Sequence, residues 1–173
     1  MLSDGTTSNY IPWSGTSSSY TTCYTDSQIR AWLNSTSSRV TVGEKTYKGF
    51  LGQFTYTSSK VKGTNINSLC SVCTSSSYGG SSCKHYYNNS DTLTTYAKNR
   101  GSGDKIFLLS QKDAETYFHY NSARKKTGGD TYWWLRSCRS SGHVRNVNSD
   151  GNVSIDPPYY TDYGFAPALF LSI

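Results

Sequence analysis

Tyr132-Trp133-Trp134-Leu135-Arg136-Ser137 opens the last stretch of this chain, and Gly164-Phe165-Ala166-Pro167-Ala168-Leu169-Phe170-Leu171-Ser172-Ile173 closes it. Both runs are apolar and read as strands. Between them lie a polar, irregular segment, Cys138-Arg139-Ser140-Ser141-Gly142-His143, and a second mixed segment, Asp156-Pro157-Pro158-Tyr159-Tyr160-Thr161-Asp162. Ser149-Asp150-Gly151-Asn152 sits between the two, and its Asp-Gly pair is a two-residue hairpin turn signal. In that register Val144, Val153 and Ile155 share the core face, while Arg145, Ser154 and Asp156 share the other; Val147 fits neither well. Strands that carry long, chemically mixed loops are the layout of a binding site. The rest of the chain is then support for that surface.

At 173 residues the chain is most simply one domain, long enough to bury a core without staples. Only 16% of the residues are charged, while 14% are aromatic, so core material is present and charge-driven disorder is not expected. Low charge with abundant Ser, Tyr, Asn and Gly suits either a paratope-like contact surface or a β-rich secreted or particle-associated protein with polar loops. The net charge is +6, with basic residues scattered at Lys45, Lys48, Lys60, Lys62, Arg124, Lys125 and Lys126. Only Arg124-Lys125-Lys126 is a cluster, and it lacks interleaved aromatics. It therefore reads as a solvated face, and no nucleic-acid partner is expected. Met1-Leu2-Ser3-Asp4 has neither the basic nor the apolar region of a signal peptide. No apolar run approaches the roughly 20 residues of a membrane-spanning helix, so no membrane insertion is expected.

From the start of the chain, residues 1–22 are rich in Ser, Thr and Gly and read as an arm or strand remnant, anchored only by Tyr10-Ile11-Pro12-Trp13. Residues 23–173 form the domain proper. Thr25-Asp26-Ser27 offers N-cap chemistry ahead of a helix whose Ile29, Trp32 and Leu33 share one face. Val40, Val42, Tyr47, Phe50, Leu51, Phe54 and Tyr56 suggest short strands or an irregular packed segment. Residues 63–104 form a loop-rich insertion, of a length that is usually functional. Asp104-Lys105-Ile106-Phe107-Leu108-Leu109 reads as a buried strand. Ser110 and Asp113 then make a capping box for a helix over about 111–118, with Ala114, Tyr117 and Phe118 on one face.

Three segments together resemble a large family of uncharacterised bacterial and phage domains. They are Thr25-Asp26-Ser27-Gln28-Ile29-Arg30-Ala31-Trp32-Leu33-Asn34, then Asp104 to Ser110 with Ala114 to Phe118. The third is the C-terminal set, Trp133 to Ser137, Val147 to Val153 and Gly164 to Leu169. Order and spacing agree over residues 25–173. The usual first strand is poorly represented in residues 1–22, and Phe165-Ala166 stands where the family carries Val-Arg. The resemblance implies an α+β, C-type lectin-like fold of the formylglycine-generating-enzyme subtype, with two helices packed on small twisted antiparallel sheets and long loops. It further implies a variable protein of a diversity-generating retroelement, with 132–173 as the variable region. By position, the diversified residues are then Cys138, Arg139, Ser140, Ser141, Gly142, His143, Arg145, Asp156, Pro157, Pro158, Tyr159, Tyr160, Thr161 and Asp162. The expected role is recognition of a protein or cell-surface ligand, at a phage tail-fibre tip or on a cell surface, with oligomerisation open.

Other chemistry is sparser. Cys70, Cys73, Cys83 and His85 have a spacing open to a structural zinc, to a disulfide or to free thiols. No cofactor is otherwise required. The formylglycine-generating enzymes use a cysteine pair near their groove, whereas the C-terminal half here has only Cys138. No catalytic residue is therefore expected. His85, His119 and His143 are far apart in sequence, and Asp150 is better explained by its turn than by calcium. Tyr159-Tyr160 beside Pro157-Pro158 is the expected source of binding energy, since aromatics anchor interfaces and prolines limit the ordering entropy. A formylglycine-type oxidase and a structural module of a fibre or pilus are the alternatives.

Overall fold

The computed structural model describes residues 11–22, 24–53, 61–64, 100–101, 104–126, 132–139 and 142–171. The expected insertion, with Cys70, Cys73, Cys83 and His85, lies outside them almost entirely. So do Ser140, Ser141 and the side chains of Cys138 and Arg139. The architecture is α+β, with short helices and small sheets.

Strand β6 (Trp133–Arg139) is the centre of a four-stranded sheet in the order β8-β7-β6-β9, with β7 His143–Val147, β8 Val153–Asp156 and β9 Gly164–Phe165. Successive strand residues point to opposite faces, so Trp133 and Trp134 enter different cores. Trp133 and Leu135 join Val147, Leu109 and Ala114 on one side. Trp134 joins Val144, Ile11, Trp13, Ile29, Trp32 and Phe107 on the other. A strand covered on both faces has to be apolar without alternation, which accounts for the continuous Trp-Trp-Leu run. The register slips between Trp134 and Cys138. The backbone groups released by this bulge find other partners, since Arg136 N donates to Leu109 O (2.9 Å) and Leu135 O accepts from the Trp13 indole (2.9 Å).

Arg136 and Ser137 tie the sheet to a helix. Ser110 caps α2 (Gln111–Tyr117) with the expected capping box, Ser110 and Asp113 each accepting from the other's backbone N–H. Asp113 also pairs with Arg136 at 2.9 Å, both side chains being buried. Ser137 Oγ accepts from Gln111 N (2.8 Å). The expected face Ala114, Tyr117 and Phe118 is only one-third buried: Ala114 is in the core, and the two aromatics are exposed. A short α3 (Asn121–Arg124) follows.

The first helix, α1 (Gln28–Leu33), forms as expected, with Ser27 accepting from Arg30 N and with Ile29, Trp32 and Leu33 buried. Arg30 holds Asp104 in a two-point ion pair (2.7 and 2.8 Å), and Asn34 bonds the backbone of Lys105 and Ile106. Residues 39–47 fold into a hairpin of β1 (Val40–Val42) and β2 (Lys45–Tyr47).

Four features depart from the sequence expectation. Ile11 and Trp13, in the expected arm, are buried core residues, and the Trp134 indole donates to Ile11 O (3.0 Å). Second, β9 runs parallel to β6, so the main sheet is mixed rather than antiparallel. Third, the terminal apolar run is three short strands. β9 joins the main sheet, β10 (Pro167–Ala168) pairs with β5 (Phe107–Leu108), and β11 (Phe170–Leu171) pairs with β3 (Val61–Thr64), which also holds β4 (Arg100–Gly101). Pro167 has no N–H with which to continue one ladder. Last, Val147 pairs with Val153, Asn148 N donates to Asn152 O (2.9 Å), and Gly151 has φ of +80°. The loop therefore has three residues, with a glycine bulge, instead of two. That shift puts Val147, Val153 and Ile155 on one face, and Val144, Asn146, Ser154 and Asp156 on the other.

Candidate functional site

β7 and β8 bring the two halves of the expected contact surface together, with Val144 opposite Asp156 and Arg145 opposite Ile155. Cys138 and Arg139, expected in a loop, lie at the end of β6 opposite Val144 and His143. β8 and β9 are on opposite edges of the sheet, so residues 157–163 carry the chain from one edge to the other. That crossover is pinned along its length. Pro158 is buried, and its carbonyl accepts from Ser14 N (2.9 Å). Tyr163 packs on Trp134 at 4.4 Å and stacks on Tyr132 at 4.9 Å, and its carbonyl accepts from Ile11 N (3.3 Å).

A buried polar pair lies under the crossover, although the Asn146 Oδ1 atom has no hydrogen-bond partner among the described residues. Asn146 is fully buried and donates to Asp156 Oδ2 (2.7 Å), which occupies a carboxylate expected to face a ligand. The Tyr163 hydroxyl also bonds to Asp156. Burial first, and then that bond and the nearby carboxylate charge, push the Tyr163 phenol well above its ordinary range.

Of the expected contact residues, Tyr160, Thr161 and Asp162 are exposed, while His143, Arg145, Pro157 and Tyr159 are half-buried. Pro158 and Asp156 serve the scaffold. Gly142 does as well, because its φ is +78° and a Cβ there would lie 3.0 Å from the Tyr20 hydroxyl. Tyr20 is the residue that the sequence does not reveal. It packs on Tyr159 at 5.3 Å and bridges Gly142 to the crossover. Its only signal is an aromatic ring within a Ser/Thr tract. Beyond Tyr159 and Thr161 the crossover borders a cleft of about 210 Å³, lined also by Pro12, Thr16 and the β1–β2 turn. Gln28 fixes that corner by accepting from Gly15 N (2.9 Å) and Gly43 N (2.7 Å).

A family model for a domain of unknown function, DUF6273, matches residues 7–173. The chain belongs to the DUF6273 family. The match takes in most of the expected arm, in keeping with the burial of Ile11 and Trp13. No curated protein and no solved structure matches the chain. Among its described residues this DUF6273 domain holds no group of three or more His, Cys, Asp or Glu placed to bind a metal. No helix among them is long and apolar enough to cross a membrane.

Proposed function

We propose that this domain is a non-catalytic ligand-binding module of C-type lectin-like type. Its surface at His143, Arg145 and residues 159–162 is diversified by a retroelement to recognise protein or cell-surface partners, on a virion fibre or a cell exterior. One observation carries this proposal: the crossover 157–163 is anchored at Pro158 and Tyr163, yet leaves Tyr160, Thr161 and Asp162 exposed. A loop immobilised before binding has little ordering entropy left to lose. Tyr160, 40% exposed and flanked by Tyr159 and Tyr163, supplies rigid aromatic area for contact.

The test is sequencing of the gene's 3′ end across its source population, followed by Tyr160→Ala in a binding screen. Substitutions should concentrate at His143, Arg145 and residues 159–162, with Gly142, Asp156, Pro158 and residues 133–137 constant. Tyr160→Ala should weaken partner binding with little change in Tm. A segment as uniform as the rest of the gene, or a large stability loss with unchanged binding, sinks the proposal. A structural fibre module or an oxidase then takes its place.

A further inference from the structure

A second concavity lies on the Trp133 side of the main sheet, and none of the residues of the surface just described lines it. It is an apolar groove of about 440 Å³, lined by Leu109, Trp133 and Ala168 together with Tyr117 and Phe118 at the end of α2. Lys125 and Lys126 stand on its border, and no acidic side chain does among the described residues. Arg124, which also borders it, is committed elsewhere. Its guanidinium bonds Gly151 O (2.7 Å), Phe118 O (2.6 Å) and the Asn121 side chain, so it is a structural latch and not the solvated cation the sequence suggests. The exposed cations of the cluster are Lys125 and Lys126.

Two walls of the groove are themselves exposed to solvent, Tyr117 (49%) and Phe118 (37%). Exposed aromatic walls mark an interaction site, and the lysine border selects negative charge. We infer that this groove docks an acidic polypeptide segment of a partner protein, anchored by one large apolar side chain. None of its lining residues belongs to the surface over 142–162, so the two faces can be occupied together and the groove's partner can stay constant while the other varies.

The probe is a fluorescein-labelled hexapeptide with one tryptophan among aspartates and glutamates, titrated into the whole protein and followed by anisotropy. Saturable binding is expected, weakening as salt rises. The peptide with alanine for tryptophan, and the one with lysine for every acid, should fail to bind. The exposed-residue variants K125E/K126E and the milder K125Q/K126Q should keep Tm, and the charge reversal should weaken binding by about tenfold. Tyr160→Ala should leave this affinity unchanged, which separates the groove from the surface proposed above. Binding unaffected by K125E/K126E, or lost in Tyr160→Ala, overturns the inference. So does concentration-dependent dimerisation that blocks the peptide, which would make a second copy the occupant, and so does capture of anilinonaphthalene sulfonate with no binding of any peptide.

Discussion

At the scale of single residues, the pair Arg136–Asp113 is the most exacting feature of the core. Two opposite charges sit fully buried at 2.9 Å, and each has further duties. Arg136 donates to Leu108 O (2.7 Å), and Asp113 caps α2 by accepting from Ser110 N (3.0 Å). Desolvation cancels much of what such a pair gains, but removing one partner strands the other in a medium that cannot solvate it. Asp113→Ala should therefore lower the unfolding free energy by about 3–5 kcal/mol, read by denaturant titration. Asp113→Asn with Arg136→Met should cost less than the two single changes together. A strictly additive result would mean that the charges do not interact. The sequence shows Arg136 within a Trp-Trp-Leu-Arg-Ser run and Asp113 within a capping box, but nothing local says that the two meet. Burial of a charge is a property of tertiary neighbours.

At the scale of elements, the signals that proved legible are those closed within a few residues. Ser27 ahead of Ile29, Trp32 and Leu33, and Ser110 with Asp113, announce their helices because a cap and a 3.6-residue period are local. The Asp-Gly pair marks its hairpin but not the loop length. That length follows from Asn148, whose side chain accepts from both Asp150 N (2.9 Å) and Asn152 N (3.0 Å) and so opens the turn by one residue. Gly151 is held there twice over, by φ of +80° and by Asn121, whose carbonyl a Cβ would strike. Gly151→Ala should cost at least about 1–2 kcal/mol, whereas exposed Ser149→Ala should stay within about 0.5 kcal/mol. Thermal unfolding distinguishes them, and equal Tm values would refute the role given to Gly151. Of the surface proposed for contact, the exposure of Tyr160, Thr161 and Asp162 follows from a polar loop between strands. The burial of Pro158 and the bridge through Tyr20 could not be anticipated, because they depend on pairings more than a hundred residues apart in the chain.

At the scale of the molecule, two buried phenols give the fold a measurable response to alkali. Tyr24 is fully buried, with its hydroxyl accepting from Leu108 N (3.1 Å); burial and then the Asp104 charge push its ionisation upward. Tyr163 is shifted the same way. In the unfolded chain both would lose their protons near pH 10, while the folded chain keeps them. Above that pH the unfolded state binds fewer protons, so stability, fully present below it, falls as pH rises. The expected decline is about 1.4 kcal/mol per pH unit for each phenol. Unfolding followed from pH 8 upward checks it, and Tyr163→Phe should make the decline shallower. A stability flat to the onset of unfolding would contradict both assignments.

The reciprocal indole bonds, Trp13 to Leu135 and Trp134 to Ile11, have a consequence for synthesis. Residues that leave the ribosome first are completed only by residues that leave it near the end. Until Trp134, Leu135 and Tyr163 emerge, Ile11 and Trp13 lack the strand and the crossover that complete their burial, and the nascent chain remains open to proteases and chaperones. A frameshift or stop in the loops proposed for contact would remove β9 to β11, so the product should fail to fold rather than persist as a defective binder. Folding thus acts as a proofreading step for the reading frame of the very segment proposed to vary.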